Sequence, residues 1–351
     1  MNNNARETNE QLLAWVTERI ETEYPGEVAL VLGNSPLLLP QDAEGPVMSY
    51  FVPATERAAG LARTFILDGV GHDLFAIPWE RLDRFAALEE YNLCCLLDNT
   101  ILYARSDEDR ARFAALQRQA LAHLQDDRFV MQKALERLAT AMELFQTMAF
   151  EQRLGQVRKA GGFIADFLSV AVAFVNHRYF RESQAGQLAE LQTMSSLPRD
   201  FVPLYRAVIG ARGAQDVKQA AYQLIANTRD FLSSLQKPSV PTPQGDFQQL
   251  ACWYEELSYT WRRVRHYCGE GTAERAFIWG VSLQYELDIV CDEFGLEDMD
   301  LLGAYQQDDL AAFKARADAL ERQMVSIIEA HGGVIRRYAD AADFLRREPR
   351  S

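Results

Sequence analysis

The chain has 351 residues, 48% of them hydrophobic, a length and apolar share that suit two folded domains of ordinary size better than one small core. Its 36 Lys and Arg against 50 Asp and Glu give a formal net charge of -14. That charge repels nucleic acid phosphates and anionic lipid wherever basic residues are not locally concentrated, and no such concentration is evident, so neither nucleic acid nor membrane is expected as a partner.

In chain order, 8-TNEQLLAWVTERIETE-23 places Leu12, Leu13, Val16 and Ile20 on one helical face. The polar start MNNNARETNEQ holds no apolar core of a signal peptide, so no leader or membrane anchor is expected there. Four β-rich segments follow, 28-VALVLG-33, 47-VMSYFV-52, 63-RTFILDG-69 and 73-DLFAIP-78, each bounded by Gly or Pro. From Trp79 onward the pattern turns helical, over 79–88, 107–125 and 127–148, then around 161–181, 184–193, 199–208, 214–235, 246–268, 272–294, 308–330 and 340–347. The apolar run 163-FIADFLSVAVAFV-175 carries Asp166 and is shorter than the ~20 residues of a membrane span. The expected fold is therefore α+β. A small mixed sheet with helices occupies 1–125, and a larger all-α domain occupies 126–351, with the Pro-rich stretch 237–246 as a loop or subdomain boundary.

The turn Gly33-Asn34-Ser35 closes an apolar strand, where glycine admits a phosphate close to the backbone and a serine hydroxyl donates to it. The same turn is also an ordinary strand end. The segment 49–82 is denser in charge, with Glu56, Arg57, Arg63, Asp73 and Glu80 near predicted strand ends. Read for function, Asp73, Glu56 and Glu80 form a carboxylate cluster for a divalent cation, with Arg57 or Arg63 on a phosphate. Read for structure, Glu80 is a charge at a helix N-terminus and Glu56-Arg57 a solvated turn. The five histidines show no metal-ligand spacing. The five cysteines (Cys94, Cys95, Cys252, Cys268 and Cys291) lack a C-x-x-C pair, and read as buried thiols in a reducing cytoplasm.

The order strand, Gly-x-Ser, long loop, strand, hairpin and a further strand carrying an Asp, followed by 98-DNTILYARSDED-109, resembles the nucleotidyltransferases of the aminoglycoside-adenylyltransferase kind. The helices after it, especially 172-VAFVNHRYFRESQAGQLAELQTMSSLPRDFVPLY-205, are similar to the helical domain of such proteins. The resemblance implies that Gly33 and Ser35 grip the triphosphate of an NTP and that Asp73 is the third carboxylate of a Mg²⁺ site. It also implies that Glu256, in 252-CWYEELSYTWRRVRHYC-268, is the general base for a hydroxylated acceptor. The Asp-x-Asp that holds the metal in that family is absent: 47-VMSYF-51 stands in its place.

Two functions follow. One is transfer of a nucleoside monophosphate from NTP to a small hydroxylated acceptor, with Asp73 and Glu56 or Glu80 on Mg²⁺. The other is a catalytically inactive protein that binds a nucleotide or small ligand on the same fold. A helical interaction protein with a scaffold sheet is a third possibility. The run 285-YELDIVCDEFG-295 puts Asp288 and Asp292 on one helical face, either solvated or lining an acidic cleft.

Overall fold

A computed structural model describes residues 3–34, 47–67, 69–90, 92–236 and 242–348. The chain divides into two compact units, Met1–Lys237 and Pro238–Ser351.

The first unit opens with α1 (Asn3–Glu23), β1 (Val28–Asn34), β2 (Val47–Pro53) and a 3-10 turn over Glu56–Leu61. The hairpin β3 (Arg63–Leu67) and β4 (Val70–Ala76) follows, then α2 (Trp79–Ala86), α3 (Cys94–Leu97) and β5 (Thr100–Ala104). Six helices complete it: α4 (Asp107–Leu124), α5 (Asp127–Phe150), α6 (Leu154–Val175), α7 (Ser183–Leu191), α8 (Phe201–Gly210) and α9 (Ala214–Leu235). The five strands form one mixed sheet in the order β3-β4-β2-β1-β5, in which only β2 and β4 run parallel.

Alternation along the strands buries both faces. Leu30, Leu32, Tyr50 and Val52 pack with Leu82 and Phe85 of α2 and Phe113 of α4, whereas Val31, Phe51 and Leu74 lie against Val16 and Ile20 of α1. The strand β5 was not among the predicted segments. Its residues TILYA are partly buried and take the free edge of β1, so pairing rather than strong alternation defines it.

The core that begins at Ala29 continues without interruption through α4, α5 and α6 to Leu232 of α9. Val170 to Phe174 are all buried, as expected of a helix segment that is apolar on every side and therefore interior. Gly161 makes this possible on the α9 side, where an added Cβ would stand 2.8 Å from Val217 Cγ1. The boundary drawn at 125/126 thus falls inside one core. There Asp126 accepts from the amides of Arg128 and Phe129 and caps α5, turning the chain back onto α4 with no linker. The break between units lies at 237/238, in the Pro-rich stretch whose residues 237–241 are outside the described residues.

The second unit contains α10 (Phe247–Glu270), α11 (Ala273–Phe294), a 3-10 turn over Leu302–Ala304, α12 (Leu310–Ala330) and α13 (Ala341–Arg347). Trp261, Leu283, Leu287, Phe313 and Met324 form its core. Among the described residues no strand follows β5, and no helix is long and apolar enough to cross a membrane.

Candidate functional site

The register of the sheet places the residues singled out in the sequence. Gly33 sits in β1 opposite Met48 of β2 and Thr100 of β5, and the Thr100 hydroxyl donates to the Gly33 carbonyl at 3.3 Å. In the parallel ladder Tyr50 pairs with Phe75, so counting back two residues on each strand sets Asp73 level with Met48. Gly33, Met48 and Asp73 therefore stand in one row, with Gly33 and Asp73 on the order of 10 Å apart at the usual strand spacing. Ser35 is outside the described residues.

The row does not become a metal centre. Asp73 is exposed and accepts from the Thr64 hydroxyl across the β3–β4 hairpin at 2.9 Å. Glu56 opens the 3-10 turn and Glu80 opens α2, and both side chains face solvent. On β2, where the resemblance puts two carboxylates, Tyr50 is fully buried, its ring 6.0 Å from that of Phe75. Its hydroxyl donates to the Cys95 carbonyl at 2.8 Å, and burial raises the phenol well above its usual range. Among the described residues no group of three or more His, Cys, Asp or Glu could hold a metal ion. A hard divalent cation needs converging carboxylate oxygens, and among the described residues Asp73, Glu56 and Glu80 are not grouped to supply them.

The arginines proposed for phosphate are engaged in backbone and side-chain contacts. Arg57 pairs with Glu27 and donates to the Glu23 carbonyl at 2.9 Å, while Arg63 donates to the carbonyls of Gly60 and Ala62 at 2.7 and 2.6 Å. Glu27 is held below the usual carboxylate range, first by the Thr55 hydroxyl and then by Arg57. In the second unit Glu256 is exposed on α10; its neighbour Glu255 is the residue held, by Arg336. Asp288 and Asp292 are exposed, which is the solvated face. Of the cysteines, Cys94 and Cys291 are buried, Cys95 and Cys268 half-buried, and Cys252 exposed, so the expectation of five buried thiols fails at three positions.

A different polar cluster adjoins Gly33. Asp98 and Asn99 precede Thr100, and the turn after α6 reaches them: Tyr179 Oη donates to Asp98 Oδ1 at 3.0 Å and Arg181 Nη2 to the same oxygen at 3.3 Å. Asn99 Nδ2 donates to Cys95 O at 2.5 Å, beside the Tyr50 hydroxyl. Asp98 Oδ2 and Asn99 Oδ1 are buried with no hydrogen-bond partner among the described residues. Two buried acceptors without donors are costly, so these oxygens call for a donor that the described residues do not supply. Nothing in the stretch 98–109 by itself signals this cluster, because Tyr179 and Arg181 meet Asp98 only across more than 80 residues of chain.

Compared with models of protein families and with curated proteins, the chain matches none.

Proposed function

We propose that the first unit is a nucleotidyltransferase-like sheet that binds a nucleotide or small phosphate-bearing ligand beside the end of β1 without transferring it. One observation carries this reading: Tyr50 occupies the β2 position where the resemblance requires a metal-binding carboxylate, and it is buried and hydrogen-bonded. An aromatic ring fixed in the core cannot neutralise the charge between a metal and a triphosphate. Binding needs less. Backbone donors and close approach at Gly33, with Asp98 Oδ2 and Asn99 Oδ1 accepting from ligand hydroxyl or amino groups, suffice to orient a ligand. The working place of such a protein is the cytoplasm, and its ligand is a small molecule rather than a nucleic acid.

The test is a calorimetric titration of ATP and GTP, with pyrophosphate release measured on the same samples in the presence of hydroxylated acceptors. Saturable binding without pyrophosphate release is the expected result. Release above the rate of spontaneous hydrolysis would restore the transferase reading, and absence of binding by either nucleotide would remove both.

A further inference from the structure

An open pocket of about 300 Å³ lies between α6, α7 and α8, and none of the candidate site residues described above lines it. Its floor is a chain of hydrogen bonds. The Tyr205 hydroxyl donates to Gln187 Oε1 at 3.0 Å, and Gln187 Nε2 donates to Asp166 Oδ1 at 2.6 Å. Gln184 Nε2 donates to the other oxygen, Asp166 Oδ2, at 3.1 Å. Gln187 is only 3% exposed, so its amide is locked with oxygen toward Tyr205 and nitrogen toward Asp166. Asp166 is thus held at the pocket by neutral amides, with no ion pair among the described residues, and a carboxylate has room for further donors.

Arg158, whose Nη2 also donates to the Ala211 carbonyl at 3.2 Å, and Lys159 line the other end of the pocket. Lys159 makes no ion pair among the described residues, in a chain whose net charge is -14. Asp166 follows Lys159 by seven positions on one helix, a rise of about 10 Å, and Gly162 and Phe163 lie between them. Two cations against one carboxylate leave the pocket net positive, which favours a ligand of net negative charge over a zwitterion. A compact ion can reach one end only, so contact with both needs a longer ligand.

We propose that this pocket binds a phosphorylated polyol or sugar of five or six carbons. Its phosphate lies on Arg158 and Lys159, its carbon chain crosses Gly162 along Phe163, and a distal hydroxyl donates to Asp166. A phosphate of this class is net anionic, long enough to span both ends, and ends in a hydroxyl that can donate to a remaining lone pair of Asp166. The proposal is independent of the nucleotide reading, since it uses none of the same residues.

The experiment is calorimetry of the full chain with ribose 5-phosphate and glucose 6-phosphate, against glycerol 3-phosphate, inorganic phosphate and ribose. One of the two longer phosphates is expected to bind at least tenfold more tightly than every comparator, and Arg158→Ala with Lys159→Ala to weaken it tenfold or more. Gly162→Leu is the decisive variant. Gly162 lines the pocket and a Cβ there meets nothing within 4 Å, so a larger side chain can start from this wall without a backbone clash. This variant should melt no lower than wild type and bind ATP unchanged, yet lose the sugar phosphate. Saturable binding of neither longer phosphate, equal affinity for inorganic phosphate, or retained affinity in a folded Gly162→Leu protein would each overturn the proposal.

Discussion

The hydroxyl of Tyr50 donates to the carbonyl of Cys95 at 2.8 Å, joining the middle of β2 to α3 across 45 residues of chain. That bond makes Tyr50 part of the core, on the strand where the resemblance expects metal-binding carboxylates. Replacing Tyr50 with Phe removes the donor but keeps the ring, and Asn99 still serves the same carbonyl, so a loss of about 1 kcal/mol in urea unfolding is expected. Tyr50→Asp is expected to be far worse. It sets a carboxylate in a buried site beside Phe75, a cost of several kcal/mol. A stable Tyr50→Asp protein that gains Mg²⁺ affinity would contradict this account of β2.

Asp73, Glu56 and Glu80 provide the complementary test. All three are exposed, and among the described residues only Asp73 has a side-chain hydrogen bond, from Thr64, which an Asn oxygen could still accept. Asp73→Asn, Glu56→Gln and Glu80→Gln should each change stability by no more than about 0.5 kcal/mol. Nucleotide affinity should not change. A large loss of affinity in any of them, read by calorimetry, would return these carboxylates to the site.

The adjacent glycines of α6 should respond in opposite directions to the same substitution. Gly161→Ala pushes a methyl toward Val217 Cγ1 at 2.8 Å and Val208 Cγ1 at 3.2 Å, so overpacking of about 1–3 kcal/mol outweighs the gain in helix propensity. Gly162→Ala meets no atom within 4 Å and should stabilise by up to about 1 kcal/mol. Thermal melts of the two variants that shift in the same direction would contradict the close approach of α6 to α9.

These outcomes also mark what the sequence made legible. The apolar strands at 28–33 and 47–52 and the long helical periods stood out because each buries a regular face, and the structure has elements at each. The strand Thr100–Ala104 did not stand out, since its pattern is that of an edge and only pairing with β1 defines it. Asp166 was visible as the one charge in an apolar run, but its role as the floor of a pocket depends on Gln184, Gln187 and Tyr205 arriving from other helices. The domain boundary was misplaced for a related reason. Helical periodicity reports a change of secondary structure, whereas a shared core is a property of packing, and the core runs on to Leu232.

Glu151, in the turn between α5 and α6, gives a prediction in pH. Its carboxylate accepts from the amides of Gln152 and Arg153 and from the Arg153 guanidinium, and these bonds, the guanidinium first, depress its pKa to about 2. A depressed folded value means that the group's contribution is fully present above its unfolded value of about 4.3 and is lost as pH falls through that window toward the folded value. Arg153→Ala should raise the midpoint toward the ordinary range in an NMR titration of the Glu151 side chain. An unchanged midpoint would show that the guanidinium is not the main cause.

The sheet unit is held here to bind without using a metal, and Mg²⁺ dependence tests that most directly. Titrating the wild-type chain with ATP and with GTP, once in Mg²⁺ and once in EDTA, should give affinities that differ by less than tenfold, about 1.4 kcal/mol. Binding that appears only when Mg²⁺ is present would mean that a metal site forms beside Gly33 after all, and would contradict the account.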